Sequence, residues 1–202
     1  MALYPDSPNN ALDSAIEMLD ELYEYNKYRE TQGFKKISIG LGLHTGNLTL
    51  GIVGEHNRLE GTVISDAVNL ASRLEGLTKK YNASIIISED TLNQLREKEK
   101  YFYRKVDTVK VKGKQKAVGV IEILNGNRKR IIDLKIATKS DFEKGVELYL
   151  EQNFYESIGY FKKVLDKDPR DKATEIYMER ARFFDQHGVP KEWEGIETLD
   201  SK

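Results

Sequence analysis

The run Ile85-Ile86-Ile87 restricts the fold more than any other stretch of the chain. Side chains alternate across a strand, so three successive isoleucines put apolar groups on both faces, and both must be covered. The surrounding sequence offers the cover. Leu12, Ala15, Ile16, Leu19, Leu22 and Tyr23 recur at helical spacing, predicting an amphipathic helix from the Ser7-Pro8-Asn9-Asn10 capping cluster to about Tyr28, closed by Gly33. Ser65 or Asp66 can cap a second helix running through Asn69, Ala71, Leu74 and Leu77 to Tyr81. Ile37, Ile39, Leu41 and Leu43 alternate with Ser38, Gly40, Gly42 and His44, which reads as a strand. Thr45-Gly46-Asn47 reads as a turn and Leu48, Leu50 and Ile52 as the returning strand, so a hairpin is expected there. Ser88-Glu89-Asp90 caps a short helix to Lys98, and two further strands, Tyr101 to Val111 and Val118 to Leu124, flank a turn at Gly113. Helices and strands that alternate in this way predict an α/β or α+β sandwich over residues 1–124.

Asn125-Gly126-Asn127-Arg128-Lys129-Arg130 is polar and basic, and predicts a solvated linker over 125–139. From 140 to 202 an all-α tail is expected. Phe154, Ser157, Phe161, Val164 and Pro169, with Gly145 and Leu148 before them, fall at spacings that resemble the tetratricopeptide helical repeat. A small residue at Ser157 would let two antiparallel helices approach, with Phe154 and Phe161 filling the groove. A third helix from Lys172 to Gln186 would start the next repeat. One and a half repeats bury too little to stand alone, so this tail is expected to pack on the first domain, on a protein partner, or on both.

Composition narrows the function. With 32 Lys+Arg against 33 Asp+Glu, the net charge is -1, and a dedicated nucleic-acid binder would show a basic excess. The absence of cysteine excludes a disulfide framework, a thiolate metal site and a cysteine nucleophile, and fits a cytoplasmic setting. No stretch approaches the ~18 apolar residues of a spanning helix, and Met1 to Asn10 do not show a basic segment followed by an apolar one.

Four features carry candidate chemistry. Asn69 and Arg73 are four apart, on one helix face, opposite the Val68-Ala71 side that would meet a sheet. Lys112, in Val111-Lys112-Gly113-Lys114, would be presented by a glycine turn. An arginine fork, a lysine point charge and an amide suit a polyphosphate, although each taken singly also reads as a solvated surface group. His44 reads as a general base or, more simply, as a structural group closing its turn. Asp66 has a sufficient role at the start of its helix, and no carboxylate pair before Leu124 stands at metal-binding spacing.

Longer motifs then add up. Ile39-Gly40-Leu41-Gly42-Leu43-His44-Thr45-Gly46, followed by Leu50-Gly51-Ile52-Val53-Gly54, resembles the hairpin of class III adenylate/guanylate cyclases. Thr62-Val63-Ile64-Ser65-Asp66-Ala67-Val68-Asn69-Leu70-Ala71-Ser72-Arg73-Leu74 resembles that family's helix signature, with Ser65 where glycine is usual. Val109-Lys110-Val111-Lys112-Gly113-Lys114 resembles its lysine strand. Pro190-Lys191-Glu192-Trp193-Glu194-Gly195 is similar to the end of tetratricopeptide tails behind some bacterial cyclases.

The resemblance implies a partial ferredoxin-like cyclase sandwich, and cyclisation of a nucleoside triphosphate to the 3′,5′-cyclic nucleotide and pyrophosphate. It places Asn69 on the ribose, Arg73 on the α-phosphoryl group, Lys112 on the terminal phosphates and Thr62 at the purine, where threonine favours ATP over GTP. It also implies a homo- or heterodimer in which one subunit supplies metal carboxylates and the other supplies Asn, Arg and Lys. Mg or Mn is expected for the complete family enzyme. Met1-Ala2-Leu3-Tyr4-Pro5 resembles the segment directly after the second metal aspartate, so the metal ligands and the purine-pocket lysine are expected upstream of Met1, and no metal ligand is assigned here. On this reading the chain is inactive alone. The alternative expectation is a catalytically dead, cyclase-like module that recruits a protein through its helical tail.

Overall fold

The computed structural model describes residues 1–55, 58–111 and 117–199. The elements run α1 (Pro8–Thr31), β1 (Leu41–Leu43), β2 (Thr49–Glu55), β3 (Arg58–Ile64), α2 (Asp66–Tyr81), β4 (Ile85–Ser88), α3 (Glu89–Gln94), β5 (Tyr103–Val111), β6 (Ala117–Ile123), α4 (Lys129–Leu150), α5 (Phe154–Lys167), α6 (Lys172–His187) and β7 (Glu197–Leu199). The main sheet has the order β1-β4-β6-β5-β7. β1 lies parallel to β4, and β7 parallel to β5, while the β4–β6 and β5–β6 pairs are antiparallel.

The three isoleucines divide as strand geometry requires. Ile85 and Ile87 join Leu12, Ala15 and Leu19 of α1 and Leu92 of α3, with Ile121 and Ile123, on one face. Ile86 faces the other way, against Leu74, Leu77 and Tyr81 of α2. That second face extends through Val106, Val109 and Val120 to Phe142, Phe161, Val164 and Tyr177, so the sheet and the three C-terminal helices share one core. The tail therefore packs on the sheet domain, one of the alternatives expected for so short a helical segment.

Two expectations are corrected. The hairpin does not join β1 to β2: β1 pairs with β4, and β2 pairs instead with β3, Thr49 opposite Ile64 and Gly51 opposite Thr62. Period-two alternation identifies a strand but not its neighbour, and β1 is drawn into the main sheet because Leu41 and Leu43 pack against the α1 side. The segment 125–139 is not a solvated linker throughout. It is helical from Lys129, because Lys135 reaches the sheet and its Nζ donates to Glu122 Oε1 at 2.8 Å with both groups buried.

Inside the tail, α4 and α5 meet where Gly145 faces Phe161, and a Cβ on Gly145 would lie 2.5 Å from the ring. Phe154, Ser157 and Val164 are buried on the same face of α5. Trp193 closes the end of the bundle, packing edge-on against Tyr149 and Phe154.

Candidate functional site

Gly40, just before β1, and Gly42, within it, set the depth of α2. A Cβ on Gly40 would fall 1.9 Å from Thr78 Oγ1, and one on Gly42 would fall 2.2 Å from the Glu75 backbone nitrogen. Glycine at both positions lets the helix backbone lie directly on the strand, while Ile39, Leu41 and Leu43 between them serve the opposite face. The N-cap is Ser65, not Asp66: its Oγ accepts from Ala67 N at 2.9 Å and donates to the Asn47 carbonyl at 2.6 Å. Ser65 thus ties the α2 start to the segment after β1.

On this helix Asn69 is exposed and Arg73, one turn later, is half-buried. Arg73 Nη1 is buried and has no hydrogen-bond partner among the described residues. A guanidinium nitrogen in that state costs free energy unless an acceptor reaches it, so the group is suited to an anionic ligand. Thr62 lies on β3, at the register position opposite Gly51. Lys112 lies outside the described residues, directly after the last residue of β5. The helix face thus brings Asn69 and Arg73 together, as their spacing predicted.

His44 is engaged structurally. Its Nδ1 is 2.7 Å from Ser88 Oγ, which is 2.9 Å from Thr91 Oγ1, and Thr91 Oγ1 accepts from Thr45 N at 2.8 Å. The histidine meets this hydroxyl pair, joining the end of β1 to the start of α3. Asp66 is the first residue of α2. Among the described residues no group of three His, Cys, Asp or Glu side chains could hold a metal ion. The divalent ion of the cyclase family therefore does not fit these residues, and no step is assigned to it below.

Behind the site lie charged groups that local sequence did not reveal as buried. Arg104 of β5 is enclosed by Glu122, Asp171 and the Phe142 ring, its guanidinium carbon 4.7 Å from the ring centroid. Burial disfavours its charge, but the two carboxylates outweigh this and raise its pKa. Asp107, also on β5, accepts from Tyr81 of α2 and from Tyr177 and Arg180 of α6. Burial, then the adjacent Asp107 charge, pushes both tyrosines well above their ordinary range. Among the described residues no helix is long and apolar enough to cross a membrane.

The family is shown by sequence: the adenylate and guanylate cyclase catalytic domain matches residues 4–123, and the chain belongs to that family. An adenylate cyclase specific to terminal differentiation in Dictyostelium discoideum is 37% identical over 190 residues, covering 89% of this chain and 9% of its own length. That match extends beyond the family segment into the C-terminal helices. The adenylate cyclase of Anabaena cylindrica is 43% identical over 129 residues, 61% of this chain and 26% of its own. The chain thus spans about a tenth and about a quarter of these two relatives. A guanylyl cyclase of solved structure superposes with a TM-score of 0.50 at 25% identity, over 62% of each chain, consistent with an α+β cyclase sheet followed by three packed helices.

Proposed function

We propose that this chain contributes the Asn–Arg–Lys half of a nucleotide cyclase site that converts ATP to 3′,5′-cyclic AMP and pyrophosphate. The observation that carries the reading is Arg73, whose buried Nη1 lacks a partner among the described residues, one turn from exposed Asn69. In this reaction the ribose 3′-oxygen forms a bond to the α-phosphorus while the bond to the bridging oxygen breaks. Negative charge grows on the α-phosphoryl and bridging oxygens. A pre-placed guanidinium answers that growth without reorganising, which is where an enzyme gains most. Asn69 orients the ribose, Lys112 holds the terminal phosphates as a mobile point charge, and Thr62 faces the purine. ATP is preferred over GTP on the likeness to two adenylate cyclases. The carboxylates that bind Mg or Mn come from a second cyclase domain across a dimer interface, and the setting is cytoplasmic. The C-terminal helices are read as a tetratricopeptide-like bacterial tail, supported by the Gly145–Phe161 approach and the buried Ser157.

The test mixes this chain with the Anabaena relative in which the residues matching Asn69 and Arg73 are alanine. Cyclic AMP from ATP is expected in the mixture and in neither protein alone. A silent mixture overturns the reading.

A further inference from the structure

Asp107 stands where the pairing of β5 with β6 shifts register, between Lys105 and Asp107. Its side chain is fully enclosed, and its two oxygens are used by three separate elements. Tyr81 Oη, at the end of α2, donates to Oδ2 at 2.5 Å. From α6, Tyr177 Oη donates to Oδ1 at 3.0 Å and Arg180 Nη1 to Oδ2 at 3.1 Å. The Thr108 amide of β5 itself donates to Oδ1 at 2.7 Å. A second carboxylate repeats the pattern nearby: Glu197, the first residue of β7, pairs with Lys80 of α2 and with Arg180. β7 itself runs beside Val109, Lys110 and Val111, the residues that lead into Lys112.

A buried carboxylate is tolerated only while its acceptor sites are filled, so α2, β5 and α6 have one low-energy arrangement around it. α2 is a rigid rod. Tyr81 is eight residues beyond Arg73, about 12 Å along the axis, and a tilt at its end is carried to the arginine. We propose that Asp107 is a positioning residue for the nucleotide site: it holds α2, which carries Asn69 and Arg73, in place against the strand that leads to Lys112, with α6 and β7 as the pieces that lock it. The proposal rests on the reading that these three side chains hold the nucleotide. It makes the C-terminal helices part of the catalytic half in place of an appended module.

The test uses the full chain. Because it contains no cysteine, Ser72→Cys and Lys105→Cys introduce two unique label sites, both exposed, on α2 and β5. Spin-label distances between them are measured in Tyr81→Phe and in Tyr177→Phe, alongside cyclic AMP formation in the mixture described above. Both substitutions remove one hydrogen bond to the same carboxylate, so a purely structural role affects them alike. The expected result is a distance displaced or broadened most in Tyr81→Phe, whose bond comes from α2 itself, and less in Tyr177→Phe, whose bond comes from the locking helix, with kcat lowered about tenfold in the former and KM within about twofold. An unchanged distance in Tyr81→Phe, or equal responses in the two variants, overturns the role of Asp107 alone. A mixture that is silent with the unsubstituted chain overturns the nucleotide reading, and this role with it, whatever the distances show.

Discussion

Arg104 and Asp171, 67 positions apart, meet in a two-pronged ion pair, Nη1 to Oδ2 at 2.6 Å and Nη2 to Oδ1 at 3.0 Å, with neither side chain exposed. Arg104 lies on a central strand of the sheet and Asp171 caps α6, accepting from Thr174 N at 3.1 Å. The third guanidinium nitrogen, Nε, donates to Glu122, the cross-strand neighbour, whose other oxygen accepts from Lys135. The cluster fastens the sheet to α4 and α6 with every charge answered by an opposite one.

Removing one member leaves the others buried without compensation. Asp171→Ala is expected to destabilise the fold by about 3–5 kcal/mol, more than the capping bond alone is worth. Urea unfolding followed by far-ultraviolet circular dichroism reads this as a lower midpoint. A midpoint within error of the unsubstituted chain would show that the pair is not formed in solution.

The same carboxylate predicts a pH dependence. Burial pushes the Asp171 pKa up, but the Arg104 charge and its hydrogen bonds outweigh burial and hold it below the usual range. Glu197 is shifted the same way, burial being overcome by Lys80 and Arg180. A carboxylate with a depressed folded pKa stabilises the fold above its unfolded value, and that contribution disappears as pH falls through the folded one. Stability is therefore expected to hold from neutral pH down to about 4 and to fall steeply below it. In Asp171→Asn the acid limb should be shallower. An equally steep limb in that variant would assign the acid sensitivity to other groups.

Much of this arrangement was legible in the residues. Helical spacing located α1 and α2, the likeness to a helical repeat located α5 and α6, and the isoleucine run required a sheet covered on both faces. Asn69 and Arg73 were paired by their spacing alone. What stayed hidden has a common physical cause. Arg104, Asp107 and Glu122 look like the solvated side of half-exposed strands, and Asp171 looks like an ordinary helix cap. They are buried only because distant helices fold over them, which no local pattern encodes. The same holds for β7, three residues long, and for the N-terminal half of α4, whose lysines resemble a connector until Lys135 finds Glu122. A wider signal did exist in the short tail, which could not bury its own apolar faces.

Gly145 and Gly159 offer a matched pair. A Cβ on Gly145 would lie 2.5 Å from Phe161 Cε1 and 2.8 Å from Cδ1, inside a packed helix contact. One on Gly159 would meet nothing within 4 Å. Both glycines are helical, so alanine raises intrinsic helix stability at each by up to about 1 kcal/mol. At Gly159 that gain should appear as a higher melting temperature. At Gly145 overpacking should cost about 1–3 kcal/mol and reverse the sign. Equal shifts in the two variants would mean that α4 and α5 do not pack as closely as the structure has them.

Arg73 separates stability from function. Its Nη1 is buried without a partner among the described residues, so that atom gains no hydrogen bond from them and carries its desolvation cost. Arg73→Ala should leave the unfolding free energy within about 0.5 kcal/mol of the unsubstituted chain, since the packing lost from the stem is offset by release of that cost. Cyclic AMP formation in the mixed assay should fall by about two to three orders of magnitude, the loss seen when a pre-placed donor to a transition state is deleted. Arg73→Lys restores the charge but not the fork, and should recover only part of the rate. The informative contrast is between the two measurements: large destabilisation with unchanged rate would make Arg73 a structural residue, whereas loss of rate at constant stability is what a guanidinium held ready for a phosphoryl group requires.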